Sequence, residues 1–326
     1  MGSIGLTFVP KRQVMIRLVL FRFEPIRSES FLEFSRRPNK TDVNSMTFSR
    51  NLNIKREGFT ILELLLSVTI ISVLAAVSIS SFNLLKRRAM MAKELTAARN
   101  IMIAFNLYSV NNDGQILPGY KTDPNISNQD GEPLFAPINS RYPWRLYPYI
   151  DDVEGSLLYN GNESVMEDKN SDYLVSVFPN MGMNTTFIGG HFGSGSLLRP
   201  SARIEQKIGQ FCIRHTSHID NASDLIVFLS ARSHPEDSWD GRGYFEVQPP
   251  MVLRTNWKSK PWTQESNPDD HGFVDLRWNG KAVAAMLDGS GRLLNEDELR
   301  DMRHWSPLAA EADLPDRAFP IRIENK

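Results

Sequence analysis

The chain has one cysteine in 326 residues, Cys212, so it cannot close an intramolecular disulfide, and cysteine pairing gives no reading of redox compartment. It has no Gly-x-Ser-x-Gly, no Gly-x4-Gly-Lys-Ser/Thr and no His-Glu-x2-His, so the hydrolase, nucleotide-binding and zincin readings lack their motifs. No internal repeat is visible. Acidic residues are scarce at the front: residues 1–58 hold five Asp/Glu against eleven Lys/Arg, whereas the remainder holds 33 against 26. Glycine and proline are missing from Phe59 to Asp113, which excludes a loop-rich start to the body.

What fills that gap is apolar. Phe59 to Phe82 is 24 residues with a single ionisable side chain, Glu63, and about 20 residues suffice to cross the hydrocarbon as a helix. Basic residues beside such a span stay cytoplasmic, so the charge asymmetry predicts the N-terminus inside and the acidic body outside. Nucleic acid is not read as a partner of the early arginines. An ionised carboxylate within the bilayer costs several kcal/mol unless paired, so Glu63 marks a functional position that wants a cation.

Beyond the span, Leu84, Met91, Leu95, Ala98, Met102 and Phe105 recur at helical spacing, with Lys86, Arg87, Arg88 and Lys93 off the stripe. This predicts one helix of about 54 residues, roughly 80 Å long. Its front half lies in lipid and its rear half packs on a C-terminal domain. Asn112-Asp113-Gly114 is a helix stop, because these residues tolerate left-handed backbone.

Lys55-Arg56-Glu57-Gly58 followed by Phe59-Thr60-Ile61-Leu62-Glu63 resembles the processing site of type IV pilins and type II secretion pseudopilins. The resemblance implies cleavage by a prepilin peptidase between Gly58 and Phe59, methylation of the Phe59 amine, and a leader whose charge comes from Lys55 and Arg56. It also implies that Glu63 pairs with the new amine of a neighbouring subunit during assembly. Where many members have a helix-kinking proline this chain has Ser80, and where pseudopilins often have glycine it has Ser72, so helix bending there is not expected. The implied fold class is α+β and pilin-like, with an antiparallel sheet and long loops in the head. The boundaries are 1–58 leader, in which either Met46 is the true start or residues 1–45 are a dispensable extension, 59–82 transmembrane half-helix, 83–113 amphipathic half-helix and 114–326 head.

The head is rich in proline and glycine, with β-like runs at Tyr173–Phe178, Leu225–Leu229, Tyr244–Val247, Met251–Leu253 and Ala282–Leu287. Residues 279–294, NGKAVAAMLDGSGRLL, place Asp288-Gly289 as a turn between two apolar strands and resemble the H-X9-DG element of many pilin-like proteins. Trp278 stands where that element has its histidine, and His271 lies seventeen residues before Asp288. Residues 182–190, GMNTTFIGG, resemble a short stretch of the same proteins.

Cys212, His215 and His218 have a spacing that one helical turn could bring to a zinc ion, though no fourth ligand is apparent. Asp269 and Asp270, beside His271, are the calcium candidates. Tyr142-Pro143-Trp144 and the tryptophans at 257 and 262 are candidate sugar-stacking or protein-contact aromatics, or core. No catalytic residue and no required cofactor are read from the chain. The partners implied are the prepilin peptidase, other pilin or pseudopilin subunits, an inner-membrane assembly platform and membrane lipid. The place implied is the bacterial inner membrane, single-pass with a periplasmic head, then a filament. The rival reading is a single-pass membrane-anchored exported binding protein or enzyme that uses the segment only as an anchor.

Overall fold

A computed structural model describes residues 59–219, 224–234 and 243–320. The chain divides into Met1–Thr60 and Ile61–Lys326. Met46, Lys55, Arg56 and Gly58 lie outside the described residues.

Helix α1 runs without interruption over Ile61–Asn111, through both Ser72 and Ser80. Its 51 residues make it about 77 Å long at 1.5 Å per residue. The helix ends where the sequence stops favouring it. Asp113 (φ 52°) and Gly114 (φ 80°) turn left-handed, and the Gly114 amide donates to Ser109 O at 2.8 Å, closing the last turn. Only glycine fits at 114, since a Cβ there would sit 2.8 Å from His215 Nε2 and from Thr216 Oγ1.

Four strands follow: β1 (Met181–Met183), β2 (Ile226–Ser230), β3 (Lys281–Met286) and β4 (Gly291–Asn295). They form one antiparallel sheet in the order β1-β2-β3-β4. The remaining helices are short: α2 (Tyr142–Leu146), α3 (Val153–Ser156), α4 (Ser171–Val177), α5 (Ala202–Ile208), α6 (Glu296–Arg300) and α7 (Pro307–Glu311). The layout is α+β and pilin-like, a long apolar N-terminal helix with a sheet-bearing C-terminal region.

The sheet separates two cores, and the two-residue period of β3 decides which side chain enters which. Val283 and Ala285 point into the core shared with Ala97, Ala98, Ile101, Met102 and Phe105 of α1. Ala282, Ala284 and Met286 enter the opposite core with Leu299, Met302 and Trp305. In β2 a register shift between Ile226 and Phe228 turns both Val227 and Phe228 toward the helix side. Phe228 then meets Phe105 edge to face at 5.9 Å between ring centres. The expected stripe on α1 is present in its rear part: Ala98, Met102 and Phe105 are buried, Met91 and Leu95 half-buried, and Leu84 exposed.

Residues 279–294 fold as read, a hairpin of β3 and β4 closed at Asp288-Gly289, where Ser290 N donates to Asp288 Oδ1 at 2.8 Å. Asn279 (φ 54°) and Gly280 (φ 76°) make the turn into β3, with Lys281 N donating to Trp278 O. Leu225–Leu229 also lies in a strand, β2. Three expected runs differ. Tyr173–Phe178 belongs to α4, because Arg141 places its guanidinium 5.3 Å from the Tyr173 ring and donates to Ser176 Oγ at 2.9 Å. Tyr173 and Ser176 share a face only in a helix. Tyr244–Val247 is a single ladder step against β1, where Met183 N donates to Phe245 O and Val247 N donates to Met183 O. Met251–Leu253 is a loop with one bridge, Met251 to Thr255.

Candidate processing and assembly site

Glu63 lies in the first turn of α1, and Phe59, two residues before the helix in sequence, is 82% exposed. From Phe59 to Leu85, sixteen large apolar side chains stand at least half exposed, on every face of the helix. Full burial of such a side chain is worth roughly 1.5–3 kcal/mol. With part of each already covered by the helix, the segment withholds about 20–30 kcal/mol that only lipid or other helices can supply.

Its polar side chains are compatible with either. Ser67 donates to Leu64 O, Thr69 to Leu66 O, Ser72 to Val68 O, Ser78 to Leu74 O and Ser81 to Val77 O, all within 2.7–3.0 Å. Each of these hydroxyls is satisfied by its own helix, so none carries an unpaired donor into hydrocarbon.

Glu94 is the residue that sequence reasoning missed. It sits on the apolar stripe itself, three residues after Met91 and four before Ala98, and that position is the signal that would have found it. It is fully buried between α1 and the sheet. Its carboxylate accepts from Ser230 Oγ at 2.5 Å and from Trp278 Nε1 at 3.1 Å, and faces Arg277 at 4.0 Å. Asp275 holds Arg277 from the other side at 3.0 Å. Burial raises the Glu94 pKa, against the lowering effect of Arg277 and of the Ser230 hydrogen bond. The same two acids push Arg277 well above its ordinary value despite its burial. Trp278, just before the turn into β3, thus ties that end of the hairpin to α1.

A second buried pair lies across the head. Glu246 accepts from Thr185 Oγ1 at 3.1 Å and lies 3.7 Å from His191 Nε2, whose ring stacks on Tyr120 at 4.6 Å. Burial lifts the Glu246 carboxyl to about 7 and lowers His191, so burial favours the neutral form of both.

The metal candidates do not converge. Cys212 is buried in the core on the far side of the sheet, and burial pushes its thiol pKa far up. His215 bonds Ser217 Oγ at 2.8 Å and its ring lies 5.8 Å from that of His218, while its Nε2 lies 3.0 Å from Asp113 O, where it pins the end of α1. His218 Nδ1 lies 2.5 Å from Gln210 Nε2. Asp269 faces His234 at 3.2 Å, and the Asp270 carbonyl accepts from Lys258 N. Among the described residues no group of three His, Cys, Asp or Glu is placed to hold an ion. Of the aromatics, Tyr142, Trp144 and Trp257 are core, with Tyr142 Oη donating to Met181 O at 2.6 Å. Trp262 lines a surface groove instead.

The family model described as the prokaryotic N-terminal methylation motif matches residues 53–79. That stretch is a prepilin-type N-terminal methylation motif, and it runs directly into the long apolar helix. The combination supports a type IV pilin or pseudopilin-type precursor: a membrane-anchored structural subunit of a kind processed by prepilin peptidase and assembled with other pilin subunits. No curated protein and no solved structure matches the chain.

Proposed function

We propose that the chain is the precursor of a pilin-like subunit, cut between Gly58 and Phe59 and added to a type II secretion pseudopilus or a type IV pilus-like filament. Before assembly the subunit is a single-pass protein of the inner membrane, with its leader cytoplasmic and residues 114–326 periplasmic. The observation that carries this reading is the methylation motif in register with a helix whose front half is not buried among the described residues.

The chemistry follows from the cut. Hydrolysis of the Gly58–Phe59 bond creates an α-amine with a pKa of about 8, and one methyl group leaves it able to carry charge. Glu63, in the first turn of the helix, then pairs with that cation on a neighbouring copy. Burying either charge alone is costly, so the pair selects the correct register more than it adds stability. The head supplies whatever surface the filament presents, and Lys55 and Arg56 hold the scissile bond at the cytoplasmic face.

Mass spectrometry of the mature N-terminus, from cells with an active prepilin peptidase, should find methylated Phe59. An intact leader in those cells would leave only a membrane anchor and sink the pilin reading. Glu63→Ala should leave cleavage intact and block incorporation into filaments.

A further inference from the structure

The head and α1 enclose a groove of about 960 Å³ beside the point where the helix leaves the head, lined by Arg87 and Met90 of α1 and by Arg232, Trp262, Arg277 and Trp278 of the head. We propose that this groove binds the phosphate headgroup of an anionic phospholipid while the subunit sits in the membrane. The inference rests on the membrane-anchored reading above and adds a lipid class and a site to it.

Three observations carry it. The first is depth. Arg87 lies 26 residues beyond Ile61, about 39 Å along the helix at 1.5 Å per residue. The hydrocarbon core is about 30 Å thick, so a helix that starts at one face delivers Arg87 and the groove to the headgroup layer of the other. The loop carrying Asn160 is fastened to the helix at that level, its Nδ2 donating to Met90 O at 3.0 Å, so the groove wall and the helix move together.

The second is charge. Asp275 is occupied by Arg277 at 3.0 Å, and Glu94 lies buried beneath Trp278 and Ser230. Arg232 gives guanidinium donors to the neutral carbonyls of Gln264 and Ser266, and among the described residues no carboxylate forms a direct ion pair with it, Asp275 acting on it only at longer range. Arg87 is exposed and has no ion pair among the described residues. Among the described residues the groove lining sets two acids, Glu265 and the Asp275 that pairs with Arg277, against Arg87, Arg232 and Arg277, and Lys86 and Arg88 flank Arg87 in the chain. The third is composition. Trp262, stacked under Arg232 at 5.1 Å, and Trp278 form the walls, and tryptophan and arginine are the side chains that settle at the boundary between lipid and water. A cavity of this size accommodates a headgroup and its glycerol.

The test uses the full-length chain reconstituted in vesicles, with the association of spin-labelled phosphatidylglycerol compared with that of spin-labelled phosphatidylcholine. Wild type should prefer the anionic lipid, and Arg87→Gln should reduce that preference about fivefold, the ratio given by one basic residue near a membrane surface. Replacing Lys86 and Arg88 by glutamine should reduce it less, and Glu265→Lys should raise it. Equal association of the two lipids with wild type would overturn the proposal. So would a loss confined to the Lys86 and Arg88 variants, which would place the lipid outside the groove. Abolition by inorganic phosphate would make it a free-anion site, and a preference seen only at densities where copies associate would place it between subunits; both outcomes overturn it. Flotation of the same vesicles after alkaline carbonate reads insertion alone. A chain that does not float fails the membrane reading, and one that floats without lipid preference fails only this inference.

Discussion

Replacing Glu94 by alanine should loosen α1 from the sheet by about 3 kcal/mol, and the figure can be built from its contacts. The substitution removes a charged acceptor from Ser230 Oγ (2.5 Å) and Trp278 Nε1 (3.1 Å), each such bond worth about 1.5–3 kcal/mol. Ser230 keeps its contact with Val283, whose amide donates to its Oγ at 2.8 Å, so its loss is partial. The Trp278 indole is left without its acceptor. Arg277 retains Asp275 at 3.0 Å, which limits the cost of a broken pair. Offsetting these losses, the buried carboxylate no longer has to be desolvated, the effect that already raises its pKa. Glu94→Gln keeps the volume and one acceptor and should cost about 1 kcal/mol. The assay is thermal denaturation of the full chain in detergent, followed by tryptophan fluorescence, with amide exchange over residues 90–105 reporting whether the helix detaches locally. A double-mutant cycle with Trp278→Phe should return a coupling of about 1 kcal/mol or more. If alanine leaves stability within about 0.5 kcal/mol of wild type, or glutamine is as damaging as alanine, the reading of Glu94 as the polar fastening of the helix is wrong.

Two further outcomes follow from the same physics. Because the Glu246 carboxyl is raised to about 7 by burial, the folded state binds more protons than the unfolded one between the ordinary carboxylate pKa and that value. Stability should therefore fall by about 3 kcal/mol as pH climbs through that window, partly offset by His191, whose lowered pKa works in the opposite sense below 6.5. Glu246→Gln should remove the fall and expose the His191 rise in a series of melting temperatures, and an unchanged profile would refute the assignment. Gly114→Ala forces a Cβ to 2.8 Å from His215 Nε2 at a φ of 80°, and should lower stability by about 1–3 kcal/mol in the same melt without altering peptidase cleavage.

The methylation motif and the long helix were legible because both are written locally. Gly58, Phe59 and Glu63 sit within six residues, and an apolar run without glycine or proline has one regular structure available in lipid. The β3–β4 hairpin was legible for the same reason, its turns declared by Asn279-Gly280 and Asp288-Gly289. Tyr173–Phe178 was misread because its composition favours strand, while the deciding partner, Arg141, lies 35 residues before Ser176 in the chain. Cys212, His215 and His218 shared a spacing but no common face: one is a core residue and another caps the end of α1.

By itself the sequence determined a membrane-length helix, a prepilin-type methylation motif running into it and a stop at Asn112-Asp113-Gly114, since each depends on neighbours in the chain. Only the tertiary structure decided that Glu94 is a buried fastening rather than a solvated helix charge. Its partners Ser230, Arg277 and Trp278 come from 136 to 184 residues further along. The groove at Arg87 has the same origin, because only folding gives the Arg232 donors to carbonyls and sets Asp275 against Arg277. Charge compensation is a property of the assembled contacts, and no reading along the chain contains it.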